Sequence, residues 1–452
     1  MHLSALFLLF VGCVKSSIIY VHDYGIINNV ASTEAALVNG ASFNRAVRSA
    51  LPGDTVAILE NETLYYIPHA YDTDDPRISN IADLEIRIDG RLIFHNDTDA
   101  WPSTENKGYF NAIDIRESEN ITLTGHGTID GQGWIWWWKF LLGKVRLERP
   151  IMIYFKNCIN IKVEYLTLLD SPRFHVMGSN VLGFVARHMV INVDIDKQES
   201  YYGVFIGEKY NELSPPMFPF NTDGIDIAGV NIHVYNVSVT NYDDVVVIKA
   251  NNHGSEMLNG TDMSCTKNAL VEDITVKFGV GMSIGSVSAK TDFCVRDVVF
   301  QNIVAYYPIK FIYIKTGNIP DSGYPQALID NITYRNMKAY NPLLWAIYLG
   351  PQQQKEPDGS GAGVWPQTNP YVNITNIHFE NIMVKNELLR AGLLRCNITN
   401  PCKNITFENV IIHSKHDTCT HRPYICDGPG TLQGYYDDTT NPTPESCGLE
   451  PY

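Results

Sequence analysis

The sequence predicts an all-β chain wound as a parallel β-helix, and three observations predict it. A short strand theme recurs, hairpin turns rarely separate its copies, and no linker, charge run or low-complexity tract divides the chain. The theme is Asn or Asp, then Ile or Val, then any residue, then a large apolar residue. It occurs at Asn120-Ile-Thr-Leu, Asn160-Ile-Lys-Val, Asn236-Val-Ser-Val, Asp273-Ile-Thr-Val, Asp297-Val-Val-Phe, Asn331-Ile-Thr-Tyr, Asn376-Ile-His-Phe and Asn404-Ile-Thr-Phe. Each copy alternates inward and outward as a strand does. Apart from 76 residues between Asn160 and Asn236, the intervals run from 24 to 45 residues and suit one coil plus loops of varied length, so each coil stacks on the last. Asn-Gly and Asp-Gly pairs, the usual mark of two-residue hairpins, are rare between the copies. About ten coils are expected.

The elements follow in chain order. Residues 1–17 read as a signal peptide: an apolar run from Leu3 to Val14, then small residues, with no Lys or Arg ahead of the run. That run is shorter than the ~20 residues a membrane span needs. A short capping helix is expected over Ser42–Ala50, with Ser42 as N-cap and Phe43, Ala46 and Val47 on one face. It would cover one end of the sheet stack and protect its edge. The β-helix is assigned residues 18–413 as one domain. Residues 414–452, rich in Cys, Pro, Gly and Asp, are expected to form a disulfide-pinned tail packed on it.

Composition sets the compartment and excludes some partners. Cys13 lies in the leader, and an even number of later cysteines in a secreted chain favours disulfides. Cys396–Cys402 and Cys265–Cys294 are the expected local pairs, with buried free thiols as the alternative. Asn-x-Ser/Thr sequons at Asn61, Asn96, Asn120, Asn236, Asn259, Asn331, Asn373, Asn397 and Asn404 also point to secretion. The net charge of −15 argues against nucleic acid, whose phosphates need a basic face. No membrane partner is expected, and the chain is read as a monomer. An acidic protein acting on a polyanion must supply local cations in its groove.

The chemistry-bearing carboxylates are Asp223, in Asn221-Thr-Asp-Gly224, and Asp243-Asp244, in Tyr242-Asp-Asp-Val245. Their separation in sequence is about one coil, which would stack the two motifs on one face. Hydrolysis of a glycosidic bond needs one protonated carboxyl and one carboxylate across the bond. Three carboxylates crowded together repel, so at least one pKa should rise and make a general acid usable at mildly acidic pH. The bland alternatives are a solvated turn or a set of calcium ligands. Trp134, Trp136, Trp137 and Trp138 form an aromatic cluster, read as strand-like, with Trp136 and Trp138 on one face and Trp137 on the other. They serve either sugar stacking or core packing. His175 lies near these motifs, and a lone His is more often structural.

Six motifs in order resemble glycoside hydrolase family 28, the polygalacturonases and rhamnogalacturonan hydrolases. They are Gly127-Thr-Ile-Asp-Gly-Gln-Gly133, Ser171-Pro-Arg-Phe174, Asn221-Thr-Asp-Gly224, Asp243-Asp244, Gly279-Val-Gly-Met-Ser-Ile-Gly-Ser286 and Ile314-Lys315. The resemblance covers residues 20 to 410. It implies a right-handed, pectin-lyase-like β-helix that hydrolyses pectin with inversion, by single displacement, and needs no metal or cofactor. It also implies that Asp243 is the general acid, that Asp223 and Asp244 hold the water, and that Lys315 binds a substrate carboxylate. Asn221, Tyr313 and Lys249 join Lys315 as substrate-binding candidates. Carboxyl groups that trap a water between acid and base should lie ~6.5–9.5 Å apart.

Two departures bear on substrate. Pectin-cleaving members usually carry Gly-His-Gly where this chain has Gly279-Val280-Gly281, and Arg-Ile-Lys where it has Tyr313-Ile314-Lys315. Val280 cannot donate a proton or a hydrogen bond. Tyr313 can stack on a sugar but cannot neutralise a carboxylate. A neutral leaving sugar would tolerate both changes, as would a replacement cation from another coil. The rival classes are a non-catalytic carbohydrate-binding β-helix and a β-helix polysaccharide lyase.

Overall fold

The computed structural model describes residues 16–70, 72–104, 108–145, 148–195, 219, 221–251, 257–289, 293–318, 326–353, 368–388, 390–415 and 423–452. Most of the leader assigned from sequence, and Cys419, lie outside the described residues. No described helix is long and apolar enough to cross a membrane.

The chain is a parallel β-helix: among the described residues 26 strands form one sheet system whose named long pairings are all parallel. Inward positions stack coil on coil. Ile121 aligns with Ile161, then Phe184, Ile232, Ala269, Val298, Ile332, Ile377 and Ile405. All are buried, and they form one continuous apolar column inside the coil. An aromatic stack runs through the later coils: Phe300 on Tyr334 at 4.8 Å, then Phe379 and Phe407.

The recurring Asn or Asp has a specific task. Asn120, Asn160, Asn236, Asp273, Asp297, Asn331, Asn376 and Asn404 all adopt positive φ, between 52° and 55°. Each turns a corner in the left-handed region, which Asn and Asp tolerate better than other side chains. Asn amides among them donate to the corner residue of the preceding coil, as from Asn160 to Asn120 at 2.9 Å and from Asn331 to Asp297 at 2.7 Å. The register shows two such corners. Val298 and Ile332 follow one, Val237 and Ile274 the other. The 24-residue interval therefore links two corners and not two copies of one, so loop length alone does not explain the irregular spacing.

Four local expectations need correction. The helix, here α1, spans Thr33–Ser49 and is capped by Ser32, whose hydroxyl accepts from the Ala35 N–H. Asn39 and Gly40 hid its first half. Asn39 bonds the backbone of Ile27 and Tyr65, and Gly40 packs where a Cβ would strike the Ile67 carbonyl. Phe43, Ala46 and Val47 do join the core. Secondly, Gly133–Leu141 is a helix, α2, so its tryptophans do not alternate as in a strand. Trp136 lies in the core against Trp101 and Tyr109, and Trp137 Nε1 donates to the Ser171 carbonyl. Thirdly, the coil continues past residue 413. Tyr424–Cys426 pairs with Arg390–Leu394, and Leu432–Tyr436 with Cys402–Ser414. Lastly, end strands such as Ile18–Tyr20 and Leu432–Tyr436 lack the Asn-Ile theme, so counting that theme undercounts coils. Cys265–Cys294 and Cys396–Cys402 are bonded as expected, with Cys426–Cys447 in addition, and Cys158 is a buried free thiol.

Candidate active site

The site lies at the starts of successive strands on one face. Ile225 aligns with Val246, Val246 with Met282, and Met282 with Ile312. Two places earlier, Asp223, Asp244, Val280 and Lys310 therefore rise along the axis in one column. Beside them, Asp226, Val247, Ser283, Tyr313 and Tyr348 form a second column. Ile225 and Ile227 face the core, so Asp226 between them faces out.

The structure brings the three predicted aspartates together: one oxygen of each lies within 4.8 Å of the others. All three are buried. This is closer than the separation expected from sequence. That expectation assumes a water on the line between two carboxyls flanking the sugar. Here three carboxylates share one floor, and their spacing follows the ~4.8 Å rise between strands.

Each aspartate has a different environment. Burial, then the charges of Asp243, Asp226 and Asp244, push the Asp223 carboxyl well above the usual carboxylate range. Its Oδ1 has no hydrogen-bond partner among the described residues. Asp244 is the opposite case. Burial raises it, but Lys315 and Lys249 outweigh burial and hold it below its ordinary value. Lys315 Nζ donates to its Oδ2 at 2.7 Å, and the Ser283 hydroxyl donates to its Oδ1. Asp243 accepts two backbone N–H bonds, from Asn221 and from Asp244, both at 2.9 Å. Such donors favour the ionised form. Asp223 is thus the member of the cluster whose neutral form burial favours, and any proton held there belongs to the cluster as a whole.

The substrate-binding candidates fare unevenly. Asn221 reaches Asp243 through its N–H, and its Oδ1 accepts from Arg149 at 3.1 Å. Lys249 pairs with Asp226 at 2.9 Å and lies over the Phe174 ring. Lys315 is engaged with Asp244. Tyr313 is 0% exposed, packed with Val280, Ile309, Trp345, Tyr348 and Leu393. Its ring already carries the Lys310 and Lys315 ammonium groups, 4.0 and 4.4 Å from its centroid. The sugar-stacking use of Tyr313 is thus replaced by a cation–π seat for two lysines.

Several site residues were missed from sequence. Ser283 lies inside a quoted motif, and Asp226 follows Asp223 in the same strand start. Arg173 also lies inside a quoted motif, whereas Arg149 gave no signal, because only the stacking of coils brings it to Asp223 and Asp243. Arg149 is 1% exposed, and burial, then Arg173, lower it to about 9.

His175 is structural. Its Nδ1 bonds the Asp223 carbonyl at 2.9 Å, and burial lowers its pKa to about 4. The fold keeps it neutral while the unfolded chain protonates near the ordinary 6.5. Its contribution is therefore complete above pH 6.5 and is lost as pH falls toward 4. The loss amounts to about 3 kcal/mol over that window. Denaturant unfolding at both ends should show His175→Gln losing less stability on acidification than the parent. Parallel curves would exclude this role.

A parallel β-helix with a three-carboxylate cluster and flanking lysines is the architecture of a polysaccharide hydrolase. The glycosyl hydrolases family 28 model matches residues 66–427. The chain belongs to that family, and it is a glycoside hydrolase of polygalacturonase-like type. A Persea americana polygalacturonase is 24% identical over 73% of this chain and 62% of its own length. The Aspergillus fumigatus protein named "Probable exopolygalacturonase B" is 25% identical over 82% of this chain and 75% of its own. Among solved structures, the endo-xylogalacturonan hydrolase from Aspergillus tubingensis matches 96% of this chain and 98% of its own. Its TM-score is 0.62 at 18% identity, a likeness of fold. The polygalacturonase from Erwinia carotovora gives 0.61 at 20%, over 89% of this chain and 94% of its own.

Proposed function

We propose that the chain is a secreted, monomeric hydrolase that cleaves α-glycosidic bonds of a galacturonic-acid-containing pectin backbone with inversion. The observation that carries this is the cluster of three buried carboxylates, with burial raising the pKa of Asp223 and Lys315 lowering that of Asp244. Asp243 delivers the proton to the leaving oxygen. Asp223 and Asp244 hold and polarise the water once the cluster's proton has moved to Asp243. The family resemblance supports these roles, and the leader and sequons support secretion. A lyase reading would give the carboxylates to calcium. Lys315 on Asp244, with Arg149 and Arg173 beside the other two, already supplies positive charge there and works against a divalent ion.

Proton NMR of the first product from homogalacturonan and rhamnogalacturonan tests the mechanism. The inverted anomer is expected, without the absorbance of an unsaturated uronate. Retention would exclude single displacement, and an unsaturated product would make the enzyme a lyase.

A further inference from the structure

The cations around the aspartates are unevenly placed along the axis. On the side of the later coils, where the family resemblance puts the leaving sugar, the column above Asp244 continues as Val280 and Lys310. Val280 is 0% exposed within an apolar cluster. Lys310 is buried, its ammonium 4.0 and 4.8 Å from the Tyr313 and Tyr348 ring centroids. Lys315 is committed to Asp244. Among the described residues, that side offers little positive charge to a ligand.

The side of the earlier coils is different. Val176 aligns with Ile225, so Phe174 lies directly beneath Asp223. Arg173, its neighbour in the Ser171-Pro-Arg-Phe174 turn, is half-buried and lies over the Phe174 ring at 4.5 Å. Its Nε has no hydrogen-bond partner among the described residues. One coil earlier, Arg149 stacks on Phe140 at 4.5 Å and donates to Asn221, whose N–H holds Asp243. Two guanidinium groups thus stand together beside Asp223 and Asp243. Asp223 and Asp243 face this pair, but burial favours the neutral form of Asp223, so two guanidinium charges in a partly desolvated corner can still take up a further anion. A planar guanidinium with an unsatisfied N–H suits a carboxylate.

We propose that Arg173, with Arg149 behind it, binds the carboxylate of the uronic acid on the glycone side of the scissile bond. The enzyme then reads substrate charge there and accepts a neutral sugar on the Val280 side, as in an α-linked uronosyl–neutral sugar bond. This rests on the hydrolase reading and names the subsite that reading leaves open.

The test is calorimetric binding in an Asp243→Asn background, with oligogalacturonate and its methyl ester as paired ligands. Adding Arg173→Gln should weaken the acid at least about tenfold and leave the ester within about twofold, since one charge-assisted contact is lost. Equal loss of both ligands, or no loss, would overturn the proposal and leave Arg173 as a counter-charge for Asp223. Should Arg173→Gln fail to fold, Arg173→Lys keeps the charge but loses the fork, and must still lower the acid-over-ester preference severalfold. Acid-selective binding together with no hydrolysis by the parent protein would support the clamp and sink the hydrolase reading.

Discussion

Asp243→Asn is expected to lower kcat about a thousandfold on its best pectic substrate while KM moves by less than about threefold. Asn matches Asp in volume but cannot protonate a leaving oxygen. The backbone bonds from Asn221 and Asp244 fix the side chain in place, so the change stays local. An amide nitrogen must then face one of two N–H donors, which costs a little orientation and affects binding weakly. The companion variant Asp223→Asn separates the roles. Burial raises the Asp223 pKa, so it is the rival donor. If Asp223→Asn abolishes turnover on a substrate with an activated leaving group and Asp243→Asn does not, Asp243 is the acid, because a good leaving group needs little protonation. If Asp243→Asn retains most of its activity on natural pectin, the acid is another member of the cluster.

The parts of this molecule legible in its sequence were those written locally. Asn or Asp followed by an alternating strand is a complete local instruction, since only such residues turn the positive-φ corner cheaply. The three aspartates were legible because one coil of spacing stacks them, and the register does so. What sequence could not show is which distant coil faces them. Arg149 and Arg173 are separated from Asp223 by loops whose lengths hide their alignment. Tyr313 and Val280 were recognised as departures from the family pattern, but their apolar neighbours Ile309, Trp345, Tyr348 and Leu393 come from three successive coils. Seen together, these residues make one dry block. Introducing His at 280 and Arg at 313 would bury two charges in it, so that pair would lose stability before it regained a substrate. The four tryptophans were misread as a strand because their composition suits one. The chain instead enters a helix at Gly133, where Gly131 and Gly133 pass too close to the Asp170 carbonyl to carry a side chain.

Lys315→Met should cut kcat about a hundredfold near pH 5 and move the acid limb of the rate profile to higher pH. Met keeps most of the stem and removes the ammonium. In the parent protein burial raises Asp244, and Lys315 is the foremost influence against it, with Lys249 next. Without Lys315 burial prevails, and Asp244 keeps a proton at a pH where it is normally ionised. A protonated Asp244 cannot polarise the water, so the working form is lost as pH falls through the new, higher pKa. The proton that the cluster needs for the leaving oxygen sets the other limb, so the bell narrows from its acid side and its maximum shrinks. Raising the pH should recover part of the lost rate. The alternative role, a clamp on a substrate carboxylate, predicts a different pattern. KM for acidic oligomers would rise, the ester would be spared, and the acid limb would stay in place. Rate profiles on both ligands therefore decide whether this lysine serves the water or the sugar. The 2.7 Å contact with Asp244 and the Tyr313 ring beneath the ammonium favour the water.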